Sequence, residues 1–195
     1  MTTAPLRKDA ARNWERIVAV ARELVDGGTA LQLNDVARRA GLGVGTVYRH
    51  FATPEALLET VATPCLEDLV EHGRRALADP DPWRALSGFL ARVLEAQVTD
   101  AALPPVAAAA TDALPRTTEL KTALRTVGTT LLQRAHRAGA VRPDLTAPDL
   151  VPLVCGLAHA VAVHGGPLPA RLTTAHRYLA TLLEGLRPTD RGAAA

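Results

Sequence analysis

A chain of 195 residues, 48% hydrophobic and 22% charged, has the balance of an ordinary folded domain, which excludes global disorder. Aromatic residues are only 3%, so Leu, Val and Ala must build any core, a mixture that favours packed helices. A formal net charge of +2 is too weak by itself to argue for nucleic acid. Apolar residues recur with helical spacing along nearly the whole chain, and no stretch alternates with period two. Trp14, Ile17, Val18, Ala21, Leu24 and Val25 share one face of a first helix, which Gly27 and Gly28 stop. A short second helix turns Leu33, Val36, Ala37 and Ala40 inward and ends at Gly41; a third runs from Val44 to about His50. Thr53 before Pro54 supplies a cap and a proline at the first helical position for a fourth helix carrying Leu57, Leu58, Val61, Cys65, Leu69 and Leu77. Pro64 lies inside it and predicts a kink near Thr60. Asp81-Pro82 opens a fifth helix with Leu86, Leu90, Val93, Leu94 and Gln97 on one stripe. A short Ala-rich sixth helix over 105–113 precedes a seventh from about Arg116 to Ala138. An eighth lies between Thr146 and Gly165, a ninth runs from about Pro169 to Leu186, and the tail from Arg191 is expected to fray. The fold class expected is all-α with nine helices, a three-helix module over 1–62 ahead of a larger bundle over 63–195.

Function is written most clearly in Asn34–Phe51, NDVARRAGLGVGTVYRHF. Two short helices joined by a tight glycine-containing turn make a helix-turn-helix, whose second helix fits the DNA major groove. Val36, Ala37, Leu42 and Val47 are apolar where the helices must pack together. Val44, Gly45 and Thr46 head the second helix, where a valine or threonine methyl can meet a thymine methyl and a hydroxyl can bond a base. Tyr48, Arg49 and His50 bring a phenol, a cation and an imidazole suited to phosphates. Arg38 and Arg39 either touch phosphates or solvate a helix face. Arg7 and Lys8, expected ahead of the first helix, form a basic arm for the minor groove or a solvated tail.

The string AGLGVGTVYRHF, with the spacing that places Leu57 and Leu58, resembles the TetR family of bacterial repressors from about Asp9 to Val61. The remaining two-thirds resembles the family loosely, through Arg177-Tyr178-Leu179 and Gly185-Leu186-Arg187. Two positions depart from the family pattern. Gln32 stands where many relatives cap the second helix with Ser or Thr, and Pro54 stands where many carry a phosphate-binding Lys.

One such module reads too few bases to find a single site, so a homodimer on palindromic double-stranded DNA is expected. The last two helices, with Val151, Val154, Leu157, Ala158 and Val161 on one and Leu172, Leu179, Leu182, Leu183 and Leu186 on the other, are the candidate interface. The resemblance further implies a small-molecule effector in the rear bundle. Its candidate walls are Leu66, Leu69, Phe89, Val93, Leu124, Val127 and Leu131, with His72, Gln97, Thr111, Cys155 and His159 as polar handles. Such a lining favours a hydrophobic or amphipathic ligand. Pro64 is then either a hinge that relays effector binding or a fixed kink.

Other chemistries find less support. Gly41, Gly43 and Gly45 follow a helix rather than a strand, unlike a dinucleotide loop. Cys155 and His159 have zinc-compatible spacing without a second pair, so no metal and no cofactor are expected. No GxSxG, HExxH or P-loop pattern marks an enzyme. An adaptor or enzyme without specific DNA binding is the alternative. Cys65 and Cys155 form no disulfide framework, no apolar run approaches the roughly 20 residues of a membrane span, and the first residues lack a signal-peptide core. The expected location is the cytoplasm, on the nucleoid when DNA is bound, with no membrane contact.

Overall fold

The computed structural model describes residues 4–188, with side chains from Asp9 onward, so the expected fraying from Arg191 lies outside the described residues. Among the described residues it contains nine α-helices and no strand: α1 (Ala4–Asp26), α2 (Leu33–Ala40), α3 (Val44–His50), α4 (Pro54–Leu77), α5 (Pro82–Thr99), α6 (Leu103–Ala108), α7 (Pro115–Arg137), α8 (Ala147–His164) and α9 (Leu168–Leu186). They fall into two compact units. The first is the chain up to Pro64 together with Asp100–Thr118; the second is Cys65–Thr99 and the chain from Glu119. By packing, therefore, residues 100–118 group with the front helices, a partition different from a single cut at 62/63.

The first unit is built on Ile17, Ala21 and Leu24 of α1, Leu33, Val36, Ala37 and Ala40 of α2, and Val47, Phe51, Leu57 and Val61, all buried. Phe51 also stacks on Trp14, ring centroids 6.5 Å apart. Two charged side chains fasten residues 100–118 to these helices. Arg22 of α1 donates to the Val61 carbonyl and, at 2.7 Å, to Asp100 Oδ1. That carboxylate holds the Arg22 guanidinium above its ordinary pKa. Glu59 of α4 is buried, and its two oxygens accept the Ala113 and Leu114 amides at 2.6 and 2.8 Å. These two amides take the place of the hydrogen bonds to water that a buried carboxylate gives up.

Two sequence expectations need correction here. Helix α1 begins at Ala4, so Arg7 and Lys8 belong to its opening turns rather than to an arm ahead of it; their side chains lie outside the described residues. No glycine or internal proline separates them from Trp14, and proline is tolerated in a first turn. Helix α6 ends at Ala108, not at 113, and Ala109 is already extended at φ −62° and ψ 128°. The following residues leave the helix to present the Ala113 and Leu114 amides to Glu59, a tertiary demand stronger than alanine propensity.

In the second unit Leu86, Phe89, Leu90 and Leu94 of α5 pack with Val127, Leu131 and Ala135 of α7, Val154 and Val161 of α8 and Leu179 of α9. A Cβ added at Gly73 of α4 would stand 2.7 Å from Val127 Cγ1 and 3.0 Å from Phe89 Cε2, so glycine permits this close approach. The α4–α5 turn is fixed from both sides. Arg134 donates to the Leu77 and Asp79 carbonyls, and the Arg84 guanidinium forks onto the Asp79 carboxylate. Helix α4 runs unbroken through Pro64, with the Thr60 and Thr63 hydroxyls donating to the carbonyls of Ala56 and Glu59.

Helix α8 corrects a third expectation. Its 18 residues have mean hydropathy 1.4, long and apolar enough by length and composition to cross a membrane, while 22% of it is buried. Pro148, Asp149, Pro152 and Gly156 break up the apolar run in the sequence and conceal this. In the fold it packs against α5 and α9.

Candidate nucleic-acid interface

The turn between α2 and α3 is set by one glycine. Gly41 sits in the left-handed region at φ 61° and ψ 34°. Its amide donates to the Arg38 carbonyl and that of Leu42 to the Ala37 carbonyl, a paired closure of the helix end. Gly43, extended at φ −64° and ψ 138°, then starts α3, its carbonyl accepting the Thr46 and Val47 amides. Gln32 makes no side-chain cap on α2, in line with its departure from Ser or Thr. At the start of α4, Thr53 Oγ1 accepts the Ala56 amide at 3.1 Å, the cap that its place before Pro54 leads one to expect.

Helix α3 buries one side chain, Val47, and thereby fixes which face looks outward. Val44 and Tyr48 are large side chains left 47% and 49% exposed, too open to be core residues. Gly45 and Arg49 are exposed as well, whereas Thr46 and His50 are half-buried. The Arg49 guanidinium folds back along its own helix, Nε donating to the Gly45 carbonyl at 3.1 Å and Nη2 to Thr46 Oγ1 at 3.2 Å. Arg38 pairs with Asp35 at 2.8 Å while its side chain stays 74% exposed, and Arg39 is exposed beside it. A short helix seated on the core by one valine, presenting apolar, phenolic and cationic groups together, is the surface a major-groove reader needs.

Comparison with known proteins agrees with this geometry. Residues 17–61 match the family model described as bacterial regulatory proteins, tetR family, and residues 81–188 match the C-terminal domain of SbtR-like transcriptional regulators. The chain belongs to the TetR family. A solved TetR transcriptional regulator of Streptomyces coelicolor is similar at 29% identity and TM-score 0.56, over 90% of this chain and 99% of that one. One from Mycobacterium vanbaalenii is 30% identical with TM-score 0.51, over 94% and 100% of the two chains. An HTH-type transcriptional regulator of Staphylococcus aureus is 34% identical over 76 residues, 38% of this chain and 41% of that protein. The match thus spans about two-fifths of the length of these curated relatives. The family is one of DNA-binding transcriptional regulators, not of enzymes.

The expected effector residues are distributed unevenly. Phe89, Val127 and Leu131 are buried in the core of the second unit, with Val93 and Leu124 packed against it, and Leu66 and Leu69 of α4 are buried. Gln97 is buried and donates to Cys155 Sγ at 3.6 Å. His72 is half-buried, and its burial, then the nearby Arg75 and Arg92, hold the imidazole below its ordinary pKa. His159 is exposed on α8, and Thr111 is exposed in the first unit. None of these twelve residues lines the open cleft of about 870 Å³ that lies among Arg142, Leu145, Leu153, Leu157, Tyr178 and Leu182. No cluster of potential metal ligands occurs among the described residues.

Sequence reasoning overlooked Glu59, Arg22 and this cleft. For Glu59 a signal existed, because it continues the stripe of Ala62, Leu66 and Leu69, where an acidic residue requires buried partners. For Arg22 and the cleft, the partners are remote in sequence and leave no local pattern.

Proposed function

We propose that the protein is a repressor that binds palindromic double-stranded DNA as a homodimer and is released by a small hydrophobic or amphipathic effector. It works in the cytoplasm, on the nucleoid while DNA is bound. The observation that carries this reading is the α3 face, where Val44 and Tyr48 stand half in solvent beside Arg49 on a helix seated by Val47 alone.

Dimerisation through α8 and α9 draws support from their unspent apolar surface. Val154, Ala158, Val161, Leu179 and Leu186 are buried, whereas Val151, Val163 and Leu168 are 47%, 73% and 44% exposed. Apolar faces of this kind, on the last two helices, are what a four-helix interface covers. For the effector, the favoured residues are the apolar set from Leu66 to Leu131 in the second unit, with His72, Gln97, Cys155 and His159 as polar contacts. A Bacillus subtilis regulator of similar fold, at 14% identity and TM-score 0.65, was crystallised with stearoyl-CoA, an amphipathic molecule.

The test is sedimentation of the purified protein at micromolar concentration, combined with binding to palindromes from the DNA flanking its gene. A dimer whose affinity falls steeply with salt and differs between palindrome and scrambled duplex supports the reading. A monomer that binds all duplexes alike overturns it.

A further inference from the structure

We infer that Arg49 is a base-reading residue of α3, recognising a guanine in each half-site, rather than one of the phosphate clamps; this rests on the DNA-binding reading above. The argument begins with the helix wheel. At about 100° per residue, the direction opposite the buried Val47 falls between Gly45 and Arg49. Val44 with Tyr48 occupies one flank of that direction and Thr46 with His50 the other. A helix lying in the major groove turns its outermost face to the base edges and its flanks toward the phosphates of the two strands. Position thus assigns Arg49 to the groove floor and Tyr48 and His50 to the walls.

The guanidinium geometry points the same way. Arginine has five N–H donors in a rigid plane. The side edge is engaged inside the helix, Nε–H on the Gly45 carbonyl and one Nη2–H on Thr46 Oγ1. What remains includes the end edge, one N–H each from Nη1 and Nη2, parallel and unspent in these bonds. That fork matches the O6 and N7 acceptors of guanine. A flexible side chain loses rotamer freedom when it binds, and the two internal bonds restrict those rotamers beforehand. Gly45 adds to the access. Apart from its chain neighbours and the backbone of its own helix, nothing lies within 4 Å of the place a Cβ would take, so the space beside the Arg49 stem is open to a ligand.

The experiment selects duplexes from a randomised library with the wild-type protein, Arg49→Ala and Arg49→Lys, then measures competition at several salt concentrations. The wild type should enrich a motif with one guanine in each half-site whose replacement weakens binding by about tenfold to a hundredfold. With Arg49→Ala that one position should become indifferent while preference at the others persists. Arg49→Lys should fail to restore it, because a point charge lacks the fork. A uniform loss on every sequence, with a shallower salt dependence and rescue by Arg49→Lys, identifies a phosphate contact and overturns the assignment. A wild-type protein that enriches no motif overturns the DNA-binding reading itself, and this assignment with it. Melting curves of both variants should match the wild type, since Arg49 is exposed.

Discussion

Gly45 and Gly73 are both helical glycines, yet their surroundings demand opposite outcomes on substitution. Nothing within 4 Å opposes a Cβ at Gly45, and its φ is not in the left-handed region. Glycine inside a helix costs about 1 kcal/mol relative to alanine. Gly45→Ala should therefore raise the melting temperature while lowering DNA affinity on every sequence, because the new methyl stands on the outermost face of α3. At Gly73 the methyl meets Val127 and Phe89 at 2.7 and 3.0 Å. Gly73→Ala should destabilise by about 1–3 kcal/mol, the usual cost of overpacking a filled core. Thermal melts and DNA titrations of the two variants separate a glycine held for a partner from one held for the fold.

At the scale of the element, helix ends were the most legible feature of the sequence, because their chemistry is local. Thr53 and Asp81 accept amides of the turn that follows them, and Asp149 accepts the Thr146 amide and hydroxyl. Gly41 stops α2 through a positive φ that few other residues adopt. Helix α6 was misread because the residues that end it answer to Glu59, more than fifty positions earlier, rather than to their own propensity. The reading face of α3 was legible as a set of residues. Its inward direction was legible as well, since Val47 stands among the apolar packing positions; the fold-back of Arg49 onto Gly45 and Thr46 was not. The α4–α5 turn yields a pH prediction. The Arg84 guanidinium, then the Asp81 amide, hold the Asp79 carboxyl down at about 2 from 3.8. A depressed acid stabilises the fold above its ordinary pKa and loses that contribution as pH falls through the folded value. Asp79→Asn should accordingly melt earlier than wild type at pH 5, with the difference closing on acidification toward pH 2, roughly the folded pKa. A gap that persists unchanged to that pH would show that the contact matters through shape alone.

At the scale of the whole molecule, the apolar stripes of α8 and α9 were legible in the spacing, but not how each divides between core and surface. Burial makes that division, with Val161 enclosed and Val151 open, and it adds the exposed Val163 outside the stripe. Val163→Glu and Val151→Glu should leave the monomer folded, since exposed substitutions usually change stability by about 0.5 kcal/mol or less. Both should shift sedimentation toward monomer and weaken binding to a two-half-site duplex far more than to a single half-site. Dimers that survive both changes would move the interface away from these helices.

The fastening of residues 100–118 to the front helices bears on how such proteins can be recombined. A graft that transfers only the first 62 residues onto another rear bundle carries Glu59 without the Ala113 and Leu114 amides, and Arg22 without Asp100. Where the host bundle covers that carboxylate without offering donors, it has neither water nor partners, a loss of several kcal/mol. The exchangeable part of this chain is thus discontinuous, two pieces separated by α5 and the rear half of α4. A working chimera needs both pieces from the same parent, or a new host that already offers two amides to the glutamate.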